Sequence, residues 1–157
     1  MISDKFYVLA LPRSRTTWMA NLLSLYVDYV AHDYITLFNK KAGEVSSVET
    51  WGVDTSGFRT AVILRNPIEA CNSFKNKFNI ADDSLEEKFI REYKKLSSLD
   101  NCFKIRYEEM SNSRKVSNMI KCLSGQYVPV NIIEDIQNMR VEPIKCENIS
   151  SHPCFKE

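Results

Sequence analysis

A run of cationic and hydroxyl side chains, Pro12-Arg13-Ser14-Arg15-Thr16-Thr17-Trp18, separates an apolar segment from a predicted helix. The first-turn N–H groups of a helix have no partner within the helix, and together with the positive end of the helix dipole they attract anions. Arginine adds paired N–H donors that match phosphate or sulfate oxygens. Capping alone requires one hydroxyl, so the run predicts an oxyanion site at a helix start.

The same run lacks the residue with which ATP- and GTP-hydrolysing enzymes grip phosphate. Their motif, G-x-x-x-x-G-K-[ST], has Gly, Gly, Lys and Ser/Thr where this chain has Ala10, Arg15, Thr16 and Thr17. Because the lysine is missing, the pattern argues against nucleotide hydrolysis. A kinase-like P-loop enzyme is kept as the second hypothesis.

A second arginine follows the clearest predicted strand, Thr60–Leu64. Arg65 leaves this strand at the start of a predicted helix. Ser73 lies about two turns along that helix, on a face that can look back at Arg65. The two side chains are therefore spaced to contact one group.

Alternating strands and helices must position these residues. Strands are predicted at Phe6–Leu11, Tyr29–Ala31, Trp51–Val53, Thr60–Leu64 and Cys102–Tyr107. Helices are predicted from Ser14 to about Tyr26, over Ile35–Lys41, to about Phe78 after Asn66-Pro67-Ile68-Glu69, after Ser84-Leu85-Glu86-Glu87, and over Ser113–Leu123 and Asn131–Met139. Asn66 and Ser84 are the predicted caps, each with a capping-box glutamate.

This alternation predicts an α/β fold, a three-layer parallel sheet of about four to five strands with helices on both faces. Ligands of such sheets bind beyond the carboxyl ends of the strands, where both arginine segments lie. We expect a single domain over residues 1–157, with its core at about 5–125 and a C-terminal helix and tail at 126–157.

Composition limits the partners and the compartment. The net charge is +1, so no global field indicates nucleic acid, and no apolar run approaches the roughly 20 residues of a membrane span. The 5 cysteines are irregularly spaced, which argues against disulfides and zinc. Their apolar surroundings predict that Cys71, Cys102 and Cys122 are buried. We expect a reduced, cytoplasmic protein without a signal peptide or a metal.

The segment Leu11–Trp18 resembles the 5′-phosphosulfate-binding loop of the sulfotransferases, often written P-K-S-G-T-T-W. Arg13 replaces the family lysine, and Arg15 replaces the glycine, as in a P-R-S-R-T form associated with small bacterial and phage members. A positive φ at Arg15 would be strained. The resemblance implies a P-loop NTPase-like fold and 3′-phosphoadenosine-5′-phosphosulfate (PAPS) as donor, which leaves the desulfated nucleotide PAP.

The resemblance continues over roughly residues 5–110. Arg65 and Ser73 have the spacing of the family pair that holds the 3′-phosphate of PAPS. Tyr107-Glu108-Glu109-Met110 resembles the Y-E-D-L/M segment, whose tyrosine lies by the adenine, with Trp18 as its partner. The implied nucleotide-binding residues are Arg13, Ser14, Arg15, Thr16, Thr17, Trp18, Arg65, Ser73 and Tyr107. The family's C-terminal R-K-G phosphate motif is absent.

The implied reaction moves a sulfuryl group from PAPS to a hydroxyl or amine acceptor. Arg13 would stabilise charge on the leaving oxygens, and the acceptor needs a base. His32 is the first candidate base, followed by Asp33 and by Asp54. A third hypothesis is a non-catalytic module that binds PAPS or PAP. The acceptor and the oligomeric state carry no signature in the sequence.

Overall fold

Five parallel strands form one sheet in the computed structural model, which describes residues 5–23, 30–32, 42–46 and 57–138. The strands are β1 (Lys5–Ala10), β2 (Val30–His32), β3 (Ala42–Ser46), β4 (Arg59–Leu64) and β5 (Phe103–Arg106). Their order across the sheet is β2-β3-β1-β4-β5, and each of the four pairings is parallel. The predicted α/β fold with a parallel sheet is confirmed.

Helices connect and follow these strands. They are α1 (Thr16–Leu23), α2 (Pro67–Phe78), α3 (Leu85–Ser97), α4 (Ser113–Ser124) and α5 (Val130–Asn138), with a 3-10 helix at Tyr107–Ser111. Each of α1, α2 and the 3-10 helix begins within a few residues of a strand end. The segments that start them therefore lie together at the carboxyl edge of the sheet.

Strand β1 is buried on both faces. Alternate side chains of a strand point to opposite sides, and here each set enters a separate core cluster. One core cluster contains Phe6, Val8 and Ala10, and the other contains Tyr7, Leu9 and Leu11. Helices α1, α4 and α5 supply the first cluster, while α2 and α3 supply the second. Packing on both faces fixes the ends of β1 and its neighbour β4, from which the two arginine segments emerge.

The start of α2 has the predicted Asn66 cap. The side-chain oxygen of Asn66 accepts hydrogen bonds from the N–H groups of Ile68, at 2.9 Å, and Glu69, at 3.2 Å. Pro67 occupies the first turn, where its missing N–H costs nothing. The helix ends at Phe78, as the sequence predicts.

The predicted cap of α3 is wrong in its chemistry, although the helix begins where expected. Ser84 has helical backbone angles and makes no side-chain cap bond. Its hydroxyl and its N–H both donate to the Asp82 carboxylate, at 2.7 and 2.9 Å. A serine hydroxyl beside a preceding carboxylate is oriented by donating a charge-assisted hydrogen bond to it, and here the oxygen accepts no helix N–H.

Other differences concern the first half of the chain. Strand β3 was not predicted, because Ala42-Gly43-Glu44-Val45-Ser46 lacks an apolar run and contains a glycine. Strand β2 includes His32, which was expected just after it. The predicted elements at 35–41 and 51–53 lie outside the described residues. No described helix has the length and apolar character that crossing a membrane requires.

The burial of the cysteines differs from the prediction at one position. Cys71 is buried and Cys102 is partly buried, but Cys122 is exposed. The buried positions of α4 include Met119, Ile120 and Leu123. The helical period therefore turns Cys122 toward solvent despite its apolar neighbours.

Candidate functional site

The loop between β1 and α1 has an unusual backbone. Arg13 and Arg15 both have positive φ, 69° and 65°, and neither is glycine. The left-handed region costs an L-residue about 1–2 kcal/mol, so a chain keeps it only where surrounding contacts enforce it. Arg15 therefore has the positive φ that the sequence analysis identified as a source of strain, and Arg13 has a positive φ as well.

Ser14 lies between these two arginines and is fully buried. Its Oγ has no hydrogen-bond partner among the described residues. A buried hydroxyl without a partner is costly, and such groups in native proteins usually have a ligand or water as partner. The first turn of α1, which begins at Thr16, directs its N–H groups toward the same loop.

The two arginine segments predicted from the sequence are in contact. Arg65 donates a hydrogen bond from Nη1 to the main-chain carbonyl oxygen of Arg13. Arg13 Nε in turn donates to the Ser73 hydroxyl at 3.2 Å. Residues 60 positions apart in the chain are thus joined, because β1 and β4 are neighbours and pair Ala10 with Ile63 at their carboxyl ends.

Tyr107 joins this group from the next strand. It follows β5 directly, and β5 pairs Arg106 with Leu64 at the end of β4. The guanidinium carbon of Arg65 lies 4.2 Å from the centre of the Tyr107 ring, in cation–π contact. The Nε atom of Arg65 is buried and has no hydrogen-bond partner in the part of the chain that the structure describes.

Arg15 is held on the other side of the loop. Its guanidinium carbon lies 4.3 Å from the centre of the Trp18 ring. Its Nη2 donates to Oε1 of Gln137, in α5, at 3.2 Å. Burial lowers the pKa of the Arg15 guanidinium from its ordinary value, while nearby Tyr107 acts in the opposite direction.

Positive charge therefore gathers at the carboxyl ends of β1, β4 and β5. Three guanidinium groups belong to it: Arg13, Arg15 and Arg65. Within residues 5–23, 30–32, 42–46 and 57–138, none of them forms an ion pair with a carboxylate. Guanidinium groups that lack a counter-charge among the described residues favour an anion as their partner. We name these three residues, with Ser14, Ser73 and Tyr107, the arginine cluster.

The structure describes the positions of some of the remaining predicted site residues and not of others. Thr16 and Thr17 are in the first turn of α1. His32 ends β2 and is level with Val45 of β3, which in turn is level with Val8 of β1. Its backbone is therefore two strand spacings, about 10 Å, from that of Val8, which lies two residues before the end of β1.

Asp33 and Asp54 lie outside the described residues. No group of three or more metal-binding side chains occurs among the residues that the structure describes.

Sequence reasoning missed Gln137. It is 122 positions from its partner Arg15, and a glutamine in an amphipathic helix gives no signal of its own. Its side-chain N–H group also donates to the carbonyl oxygen of Met110 at 2.6 Å. Only the tertiary fold identifies it, because α4 and α5 pack on the sheet face that also carries α1.

Comparison with solved structures places this fold beside a known class. The chain superposes on a structure described as mouse sulfotransferase SULT7A1 complexed with PAP, with a TM-score of 0.63 and 15% sequence identity. The match covers 88% of this chain and 64% of the mouse protein. The fold is sulfotransferase-like. No protein-family model and no curated protein sequence matches the chain.

Proposed function

We propose that this chain is a sulfotransferase that uses PAPS as donor and a hydroxyl or amine as acceptor. The observation that carries the proposal is the contact between the two arginine segments, in which Arg65 holds the Arg13 carbonyl and Arg13 holds the Ser73 hydroxyl. Its setting on a sulfotransferase-like fold agrees with the donor that the sequence resemblance implies.

The donor groups fit a nucleotide with two separate anionic ends. The loop offers Ser14 Oγ, which has no partner among the described residues, and the first-turn N–H groups of α1 for a 5′-phosphosulfate. Arg65 and Ser73 offer donors for a 3′-phosphate on the neighbouring strand–helix turn. Tyr107 and Trp18 supply aromatic surface for the adenine, each beside an arginine.

In the proposed reaction the acceptor oxygen or nitrogen attacks sulfur, and the bond from sulfur to the phosphate oxygen breaks. The bonding pair remains on that oxygen as PAP leaves. Arg13, in the loop, and Thr16 and Thr17, which start α1, are the groups proposed to stabilise this charge. His32, Asp33 and Asp54 are the proposed bases, with His32 first because it ends a strand at the carboxyl edge.

Calorimetric titration tests the nucleotide assignment. We expect PAP to bind at least about tenfold more tightly than adenosine 5′-phosphosulfate or ATP, because only PAP has a 3′-phosphate for Arg65 and Ser73. Equal affinity for the three nucleotides would refute the assignment of these two residues. Magnesium-dependent turnover of ATP would instead favour the kinase-like hypothesis.

Sulfate transfer from labelled PAPS to a panel of phenols, alcohols and amines tests the activity. Replacing the essential base should lower the rate by about 100-fold or more while leaving PAP affinity unchanged. His32→Ala, Asp33→Ala and Asp54→Ala are compared singly for this purpose. Tight PAP binding without transfer to any acceptor would identify the chain as a binding module.

A further inference from the structure

The side chain of Gln137 connects the last described helix to the nucleotide loop. Its amide oxygen accepts from Arg15 Nη2 at 3.2 Å, and its amide nitrogen donates to the Met110 carbonyl at 2.6 Å. Met110 is fully buried in the 3-10 helix that begins with Tyr107. One amide thus ties α5 and the segment after β5 to the start of α1.

The two hydrogen bonds fix which way the amide faces. A carbonyl oxygen accepts only and a guanidinium donates only, so the amide nitrogen must face Met110 and the oxygen must face Arg15. Rotating the amide by half a turn would set donor against donor and acceptor against acceptor. The amide oxygen is consequently held at a defined point beside the Arg15 guanidinium.

A neutral partner leaves the charge of Arg15 available. An aspartate or glutamate at position 137 would neutralise the guanidinium, whereas an amide oxygen orients it and adds no charge. The Trp18 ring makes the second contact with the guanidinium, whose carbon lies 4.3 Å from the ring centre. Arg15 is therefore oriented from two sides, and no carboxylate in the part of the chain that the structure describes forms an ion pair with it.

We propose that Gln137 is a positioning residue, which holds Arg15 so that its guanidinium contributes to binding the anionic nucleotide. The inference rests on the proposed function and adds α5 to the site. The residue pair is Arg15 and Gln137. The chain has this pair because arginine occupies position 15, where the motif of the resembled family has glycine. The sequence gives α5 no signature of such a role.

A double-mutant cycle tests the inference, with PAP affinity measured by calorimetry. The variants are Gln137→Ala, Arg15→Gly and the two combined. Arg15→Gly removes the guanidinium at a φ of 65°, a conformation that glycine adopts without strain, so this background is expected to fold. Asn131→Ala removes another amide from α5, where Asn131 is exposed, and serves as the matched control.

We expect Gln137→Ala to weaken PAP binding about fivefold in the native chain and by less than about 1.5-fold in the Arg15→Gly background. Asn131→Ala should change neither value. An equal loss in both backgrounds would show a merely structural role for Gln137 and would overturn the inference, with the proposed function intact. Absence of PAP binding by the native chain would overturn the proposed function itself.

Acrylamide quenching of tryptophan fluorescence gives a second measurement that needs no nucleotide. Releasing Arg15 uncovers part of the Trp18 ring, so Gln137→Ala should increase quenching, and the increase should vanish in a Trp18→Phe background. Unchanged quenching would mean that Gln137 does not hold Arg15 over Trp18, which would overturn the positioning role.

Discussion

Two neighbouring strand-to-helix turns at the same sheet edge are built in opposite ways. The turn from β4 to α2 uses regular chemistry, in which Asn66 caps the helix with two hydrogen bonds and Pro67 begins it. The turn from β1 to α1 places Arg13 and Arg15 in the left-handed region and buries the Ser14 hydroxyl, to which no residue that the structure describes forms a hydrogen bond.

The difference between the two turns indicates which of them is built for stability and which for function. A turn made for stability alone would have a capping side chain and residues suited to their backbone angles. The β1–α1 turn departs from the second of these at Arg13 and Arg15, and it is also the turn that gathers cations. Backbone strain and unpaired polar groups cluster at functional sites, where they are part of the mechanism. Three substitutions test whether the two turns are divided in this way, and a fourth, at the start of α3, gives a reference outside both turns.

The largest effect is expected from Arg65→Ala, the residue that joins the two turns. Its loss removes a charge-assisted donor, the contact with Tyr107 and the tie to the Arg13 carbonyl. PAP affinity measured by calorimetry should fall about 100-fold. Arg91→Ala removes the same charge from an exposed position on α3 and should leave the affinity unchanged. A similar loss in both variants would attribute the effect to net charge alone.

A smaller and two-sided effect is expected from Arg13→Gly. PAP affinity should fall about tenfold because the guanidinium is lost. The free energy of unfolding should nevertheless rise by about 0.5–1 kcal/mol, since glycine relieves a positive φ. Arg13→Ala loses the same guanidinium but keeps the strain, so urea unfolding should show no gain for it. Equal stability of the two variants would argue that the backbone at position 13 is unstrained.

Asn66→Ala should act in the opposite sense to the loop variants. Loss of the cap should lower the free energy of unfolding by about 1 kcal/mol, while PAP affinity changes by less than about twofold. Asn76→Ala, at an exposed position within the same helix, is the control for removing an amide. A large loss of affinity in Asn66→Ala would place this turn within the binding machinery and break the comparison.

The smallest effect is expected at a helix start away from the sheet edge. Hydrogen bonds from Ser84 hold the pKa of the exposed Asp82 carboxyl below its ordinary value of 3.8. Ser84→Ala should therefore raise this pKa, which a carboxyl-carbon NMR titration measures directly. Because the folded-state pKa is the lower one, the interaction stabilises the fold above pH 3.8 and is lost as the pH falls through the folded-state pKa.

Stability should respond to Ser84→Ala in the same direction. The native chain should exceed the variant slightly at pH 7 and lose that advantage in acid. PAP affinity should not change, because this helix start carries no arginine. An unaltered Asp82 titration would show that the serine is not the cause of the lowered pKa.

The sequence allowed much of the fold to be predicted, for reasons that differ along the chain. Strand β4 and helix α2 are marked by an apolar run and a local cap, so both could be placed within about two residues. Strand β3 could not, because its central position comes from pairing with β1 and β2 and not from its own composition. The Ser84 cap prediction was wrong because the hydroxyl donates to the Asp82 carboxylate and accepts no helix N–H, which spacing alone does not reveal.

The candidate site divides in a similar way. Arg13, Arg65, Ser73 and Tyr107 could be predicted because the carboxyl ends of adjacent parallel strands meet, and the structure brings all four together. The pairing of Arg15 with Gln137 could not be predicted, because it depends on how α5 packs against the sheet. The roles of all these residues in nucleotide binding remain predictions, as do those of His32, Asp33 and Asp54.

The hydrogen bond from Arg65 to the main chain of residue 13 has a consequence for protein engineering. Because the acceptor is a backbone carbonyl, each amino acid that adopts the positive φ of position 13 offers the same attachment point. The hydrogen bond from Arg65 does not depend on the side chain displayed there. A library at position 13 that leaves out proline and the β-branched residues should vary the charge and reach of that side chain while this bond is kept, which makes the position a practical starting point for altering donor preference.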